Sequence, residues 1–410
     1  MRAQVNTDRL WDSHMEMAKI GATPKGGVCR LSLTGEDKVS RDLFVQWAKE
    51  AGCDIRVDTV GNIFARRAGT DPDAAPVVTG SHLDTQPLGG RFDGAYGVLA
   101  GLEVVRALND ANVETRAPID IVVWTDEEGC RFTTKTMGSA TFAGLRPEQE
   151  VLDGVDPDGK RFGDELARIG YAGTEPCGGF DIAAYFETHI EQGPILEDEG
   201  IPVGAVVGAQ GQRCFEVTVT GEEGHAGTLP MDQRKDAYLG AARMADALNA
   251  VAFTFQPMPV ITVGHVRVRP NSRNTIPGQT VFTIDGRHPR NETLVEMKTA
   301  MQAACERIAA DMGLGLEMVE TSVSPVVSFD EDLVQSVRDA ADELGIPCCD
   351  MFSGAGHDAC KIAAVAPAAM VFVPCKDGIS HNELEDATPD DLAAGTAVLL
   401  KAVVATANRA

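Results

Sequence analysis

His82, in Ser81-His82-Leu83-Asp84-Thr85, and Asp93, in Gly89-Gly90-Arg91-Phe92-Asp93-Gly94, are the two residue types that bind divalent metals best. Each stands where the chain is expected to change direction. A short apolar strand, Pro76-Val77-Val78-Thr79-Gly80, runs into His82, and an apolar-periodic helix over 98–108 follows Asp93. A carboxylate at a helix N-terminus also gains from the helix dipole. Three later stretches repeat the pattern of a strand that delivers a ligand. Ile119-Asp120-Ile121-Val122-Val123-Trp124 delivers Asp126-Glu127-Glu128, and Ile182-Ala183-Ala184-Tyr185-Phe186 delivers Glu187 to Gln192 with His189 among them. The strand over 368–373 leads to the loop that holds His381. One shared cleft explains four such placements better than four accidents.

His82, Asp93, Glu128, His189 and His381 form a nitrogen and oxygen donor set suited to zinc, manganese, cobalt or nickel. One odd carboxylate among four terminal ligands lets an Asp bridge two ions about 3.5–4 Å apart, which polarise a substrate oxygen and activate water. Hydrolysis then needs a base that is not itself a ligand, and Glu127, beside Glu128, is the candidate. Taken singly, a His next to a strand is more often a satisfied polar residue, and Asp-Glu-Glu is commonest as a solvated turn. It is the joint placement that carries weight. The glycines between Gly90 and Gly97 lack the GxG of a dinucleotide loop.

The chain has 410 residues, enough for two domains, with 44% hydrophobic and 24% charged residues. A formal charge of −25 argues against a nucleic-acid partner. No apolar run approaches the ~18 residues of a membrane span. The first twenty residues carry Asp8, Asp12 and Glu16 and no apolar core, so a secretion signal is not expected. Ten cysteines without CxxC spacing read as reduced cytoplasmic thiols, which leaves metal binding to His and carboxylates.

The elements that must position these residues alternate. Helices are predicted near 10–20 and 38–51, and a strand over 54–65 with a turn at Gly61-Asn62. The strand–helix alternation that follows predicts an α/β layer with a largely parallel sheet, whose ligands lie beyond the carboxyl ends of its strands. The stretch over 131–180 is rich in Gly and Pro and gives no clear pattern. Residues 211–325 have a logic of their own. Phe215, Val217 and Val219 alternate with polar residues, and a helix presents Tyr238, Ala241, Met244, Ala245 and Leu248 on one face. Strands over 260–268 and 280–286 come next. A capping box of Thr293 with Glu296 would then start a helix that turns Leu294, Met297, Met301, Ala304 and Ile308 inward, ahead of a strand over 316–323. This βαββαβ order predicts a ferredoxin-like α+β domain at 211–325, inserted into a discontinuous metal-bearing catalytic domain of 1–210 and 326–410.

The motifs SHLDT, GGRFDG, DEEG, ETHIEQG, GEEGHAGT, NTIPG, SGAGHDA and ISHNE resemble, in order, those of the M20-type amidohydrolases of the carbamoylase branch. That branch comprises N-carbamoyl-L-amino acid hydrolases, β-ureidopropionases and allantoate amidohydrolases. The resemblance spans nearly the whole chain, from His82 to His381. His189 stands where peptidase and aminoacylase relatives usually have a carboxylate. Leu88 and Leu229 stand where the branch often has Thr, and Glu383 where some members have Pro, departures that bear on substrate shape.

The resemblance implies that Asp93 bridges two ions, with His82 and His189 on one and Glu128 and His381 on the other. It implies Glu127 as general base and Asp84 as a hydrogen-bonding partner that orients His82. In the inserted domain, His225 would stabilise an oxyanion, typically across a homodimer, and Asn274 and Arg287 would bind the amide and carboxylate of a small ureido acid. Gln192 and the loop that carries Gly356 and His357 would line the remainder. The inserted domain would then be a lid and a dimerisation unit. The implied reaction is hydrolysis of an N-carbamoyl-L-amino acid to the amino acid, ammonia and carbon dioxide, with zinc or manganese as the first-choice metal. Allantoate and β-ureidopropionate are the alternative substrates. An aminoacylase or dipeptidase activity, or a non-catalytic ureide binder, stands further off.

Overall fold

Asn6 accepts a hydrogen bond from the Arg9 N–H and starts α1 (Thr7–Met17) three residues ahead of the predicted helix. Thr34 likewise caps α2 (Gly35–Glu50) through the Asp37 N–H. In both cases a polar cap, not the apolar stripe, sets the boundary. The computed structural model describes residues 3–132 and 134–409. The chain forms two compact units, one up to Gly208 and again from Ser328, the other Ala209–Val327.

The first unit continues through the hairpin β1 (Asp54–Val57) and β2 (Ile63–Arg67), then β3 (Val77–His82), α3 (Ala95–Asp110) and β4 (Ile119–Trp124). The unpatterned stretch holds three short helices, α4 (Met137–Phe142), α5 (Glu148–Leu152) and α6 (Phe162–Ile169). Then come β5 (Ala184–Ile190), α7 (Ile195–Glu199) and β6 (Val203–Ala209). β5 starts two residues later than predicted and runs four further, so Glu187 and His189 lie within the strand and are buried there.

The second unit contains β7 (Gly211–Thr220), β8 (Gly224–His225), α8 (Ala237–Ala252), β9 (Val260–Arg269), β10 (Thr275–Ile276), β11 (Gln279–His288), α9 (Asn291–Met312) and β12 (Gly315–Ser324). Its four-stranded sheet has the order β12-β7-β11-β9, antiparallel at each pairing. Phe215, Val217 and Val219 of β7 share one core with Met244 and Leu248 of α8 and Leu294, Met297 and Met301 of α9. Two local expectations fail. Tyr238 is half exposed, while Ala237 and Ala241 on either side of it are buried. The Thr293–Glu296 capping box does not form, because α9 starts at Asn291 and puts Thr293 inside its first turn.

The chain then returns to the first unit with β13 (Val327–Ser328), α10 (Glu331–Leu344), β14 (Cys348–Ser353), α11 (Asp358–Ile362), β15 (Ala368–Val373) and α12 (Pro389–Arg409). Among the described residues this unit holds a nine-stranded sheet, ordered β1-β2-β4-β3-β5-β15-β6-β13, with β14 paired to β6. The central pairings β4–β3, β3–β5 and β5–β15 are parallel, whereas β1–β2, β2–β4 and β15–β6 are antiparallel. The fold is therefore mixed α/β about a parallel centre. β3, β4 and β15 are buried along their whole length, which matches their nearly unbroken apolar runs. No described helix is long and apolar enough to cross a membrane.

A candidate metal centre at the ends of four parallel strands

Four adjacent parallel strands, β4, β3, β5 and β15, point their carboxyl ends the same way, and the ligand-type residues gather there. His82 is the last residue of β3, and its Nδ1 lies 2.8 Å from the backbone oxygen of Asp84. His189, near the end of β5, has its Nδ1 2.9 Å from the Ile190 oxygen. A carbonyl only accepts, so each Nδ1 carries a proton and each Nε2 faces the centre, that of His189 with the Gly94 N–H 3.3 Å away. Those Nε2 atoms lie 3.8 and 3.2 Å from Asp93 Oδ1. On the other side, His381 Nε2 lies 3.4 Å from Asp93 Oδ2 and 3.6 Å from Glu128 Oε2. Three potential metal-holding groups result among the described residues: His82–Asp93–His189 and Asp93–Glu128–His381, which share Asp93, and Glu187–His189–His357.

Asp93 precedes α3, whose capping residue is Gly94 at φ +66°. A side chain at residue 94 would run into the His82 imidazole, so glycine there lets the ring lie against the backbone. Beyond β4, Asp126 takes φ +57°, uncommon for a residue with a side chain, and turns the chain so that two successive N–H groups face inward. The N–H groups of Glu127 and Glu128 each donate to the Asp84 carboxylate at 3.2 Å. Asp84 is the hydrogen-bonding partner of His82, through its backbone oxygen. Its carboxylate lies 4.0 Å from His82 Nδ1, and the closer contact to that ring comes from its backbone carbonyl. Two amide donors from the Glu127–Glu128 turn occupy the side chain instead.

Glu127 Oε2 lies 3.7 Å from His82 Nε2 and belongs to none of these groups. Burial raises its proton affinity well above the usual carboxylate range, and Asp358 and Glu128 add to this. Glu128 is pushed up to about 9 by burial and then Asp93, and Asp84 to about 7 by burial and then Asp37. His189 reaches about 9: burial opposes its charge, but the hydrogen bond and charge of Asp93 outweigh that. Asp93 itself is lowered, since its three histidine neighbours overcome the burial that would raise it.

Gln192 Nε2 donates to Asp93 Oδ2 at 3.2 Å and to Ser380 Oγ at 3.0 Å. His357 is buried against His189, ring centroids 4.5 Å apart, while Gly356 is exposed. The remaining three predicted residues belong to the second unit. His225 pairs with Thr275 in the β8–β10 ribbon, and the Ala226 N–H donates to the Asn274 oxygen. His225 Nδ1 accepts from the Gly227 N–H at 3.0 Å, which leaves Nε2 of the neutral ring as a donor. Arg287, near the end of β11, already forks onto Asp285 at 3.1 and 3.0 Å.

Several residues that touch this centre escaped the sequence reading. Glu187 accepts from Ser81 Oγ and the Ala359 N–H, both at 2.7 Å, and so joins β3, β5 and α11 behind the histidines. Asp358 is buried and accepts from Ser139. Glu385 lies behind Asp93. Nothing in a linear sequence marks such carboxylates, since their partners lie far away along the chain.

The family model described as "Peptidase family M20/M25/M40" matches residues 78–405. The chain belongs to that family. An N-carbamoyl-L-amino-acid amidohydrolase of Rhizobium meliloti is 48% identical over 99% of this chain and 97% of its own. Another, from Geobacillus stearothermophilus, is 37% identical over 97% of this chain and 98% of its own. A crystal structure described as an amidase of the hydantoinase/carbamoylase family from Burkholderia multivorans superimposes with a TM-score of 0.96. It is 56% identical and covers 99% of this chain and 98% of its own. Within the M20 family the chain therefore falls in the carbamoylase branch and is an amidohydrolase of that branch.

M20 enzymes are metal-dependent, and the residues at the strand ends fit a divalent cation. Glu128 Oε1 is buried without a hydrogen-bond partner. Carboxylates crowd the centre until burial and mutual repulsion favour protonation. A cation would offset that repulsion and draw them back to the ionised form.

Proposed function

We propose that this M20 enzyme hydrolyses the carbamoyl C–N bond of N-carbamoyl-L-amino acids, giving the L-amino acid, ammonia and carbon dioxide. The observation that carries this reading is the sharing of Asp93 by two ligand groups beside Glu127, a carboxylate outside both. His82 and His189 would hold one ion and Glu128 and His381 a second, with an Asp93 oxygen available to each. Zinc or manganese suits this imidazole and carboxylate set best, with cobalt or nickel next. When bound, such ions polarise the carbamoyl oxygen and lower the pKa of water.

In this reading the protein's own groups move the protons. Glu127 takes one from the attacking water and delivers it to the departing nitrogen. Asp84 holds the backbone of that base through the Glu127 and Glu128 N–H groups. His225, with its Nε2–H donor, stabilises the developing oxyanion. Asn274 takes the substrate amide and Arg287 its carboxylate, while Gln192, Gly356 and His357 line the rest.

Asp285 bears on the Arg287 assignment, since it sets the plane of the guanidinium. Arg287→Lys retains the charge but cannot present a planar fork. It is expected to lower kcat/KM about tenfold or more, the scale of one charge-assisted bond. Amidating the substrate carboxylate should cost the wild-type enzyme a similar factor and the variant little more. Strictly additive losses would remove Arg287 from the carboxylate.

The second unit serves, in this reading, as lid and dimerisation domain of a homodimer in which His225 acts on the neighbouring subunit. Glu127→Gln and His225→Ala, each inactive alone, are then expected to recover activity when refolded together. Mixed dimers that stay as inactive as their parents would return His225 to its own subunit. Ten free cysteines suit a cytoplasmic setting.

The deciding experiment is a screen that reads the release of ammonia and of free amino acid together. N-carbamoyl-L-amino acids are expected to be the best substrates, ahead of allantoate and β-ureidopropionate, with N-acetyl amino acids and dipeptides inert. A preference for allantoate would move the chain to that activity. Turnover of N-acetyl amino acids alone would overturn the ureido reading.

A further inference from the structure

We propose that Glu385 is a positioning residue that holds the Asp93 carboxylate and the His381 loop in ligating register. The proposal rests on the ligand reading above.

Glu385 is 1% exposed, in the segment between β15 and α12. Its Oε1 accepts from the N–H groups of Phe92 and Asp93, at 2.9 and 3.0 Å. Its Oε2 accepts from Ser380 Oγ at 2.9 Å. One carboxylate thus grips the backbone of the residue common to both ligand groups and the side chain next to His381. Ser380 Oγ lies 3.4 Å from Asp93 Oδ2 as well, and Gln192 Nε2 reaches both. The neighbouring Asp386 pairs with Arg91 at 2.6 Å, so two successive acids hold 91–93.

Two further observations show that the arrangement is built. A side chain at Gly90 would collide with the Glu385 carboxylate, so the 89–94 loop is shaped around it. His381 has φ +53°, an uncommon conformation for a residue with a side chain. The bond from Ser380 to Glu385 is a constraint one residue away. Partners of this kind, which orient the metal-binding side chains, typically govern affinity by ten- to a hundredfold.

The test measures zinc affinity by competition with a chromophoric chelator, alongside the unfolding temperature of the chelator-stripped protein. Glu385→Ala is expected to weaken zinc binding about tenfold or more, with the stripped protein melting within about 2 °C of wild type. Glu385→Gln still offers an oxygen to both N–H groups and should stay within about threefold. Ser380→Ala leaves those two bonds intact but cuts the tie to the His381 loop, and should weaken binding severalfold. Wild-type zinc affinity in Glu385→Ala would overturn the proposal. So would a stripped Glu385→Ala protein that melts far below wild type, since the residue would then support the fold. Asp93→Ala, run in parallel, separates the two readings. If it binds zinc normally, the ligand assignment falls; if it loses zinc while Glu385→Ala does not, Glu385 alone is rejected.

Discussion

Glu127→Gln is expected to lower kcat about a hundredfold or more, the usual cost of losing a general base, while divalent-ion content stays near that of the unaltered protein. The amide has the size of the carboxylate but cannot take up the proton. The separation between chemistry and metal content follows from the geometry, since Glu127 stands beside His82 but outside all three ligand groups. Its backbone is also fixed independently of its side chain, through the bond to Asp84. Elemental analysis with single-turnover kinetics checks both halves. A variant that keeps more than about a tenth of the normal turnover would show that another group takes the proton.

Asp93→Ala is expected to lose most bound metal and, with it, nearly all activity. Asp93 is common to two of the groups, so removing it takes an oxygen from each. It also removes the carboxylate that lies 3.2 Å from His189 Nε2 and 3.4 Å from His381 Nε2, the neighbour those two rings share. His189→Ala leaves the Asp93–Glu128–His381 group complete, and that group should keep the greater share of its ion. Ion content after dialysis distinguishes the two variants. Full metal content in Asp93→Ala would place the centre elsewhere.

Much of this was legible because the relevant signals are local. The buried strands 119–124 and 368–373 coincide with the apolar runs that predicted them, since a strand covered on both faces needs apolar residues throughout. In the second unit, Met244 and Leu248 of one helix and Leu294, Met297 and Met301 of the next face the core their spacing implied. Boundaries were less legible. α1 and α2 begin at Asn6 and Thr34, where a single side-chain hydrogen bond outweighs the apolar stripe. Thr293 has the residue type of a cap, but α9 had already begun.

By itself the sequence determined which residue types are available and on which strand each arrives: His82 with β3, Glu127 and Glu128 with β4, His189 with β5 and His381 beyond β15. It also determined family membership, because motif order along a chain is a linear property. Only the tertiary structure decided that these four strands are neighbours whose carboxyl ends share one edge, so that Asp93 meets three histidines. Only it decided that the Asp84 carboxylate serves the Glu127–Glu128 turn and not His82, and that Glu385 braces Asp93 from nearly three hundred residues away. The reason is physical. A buried carboxylate takes whichever donors the packed backbone leaves unpaired, and those donors are fixed only when strands, turns and loops have come together.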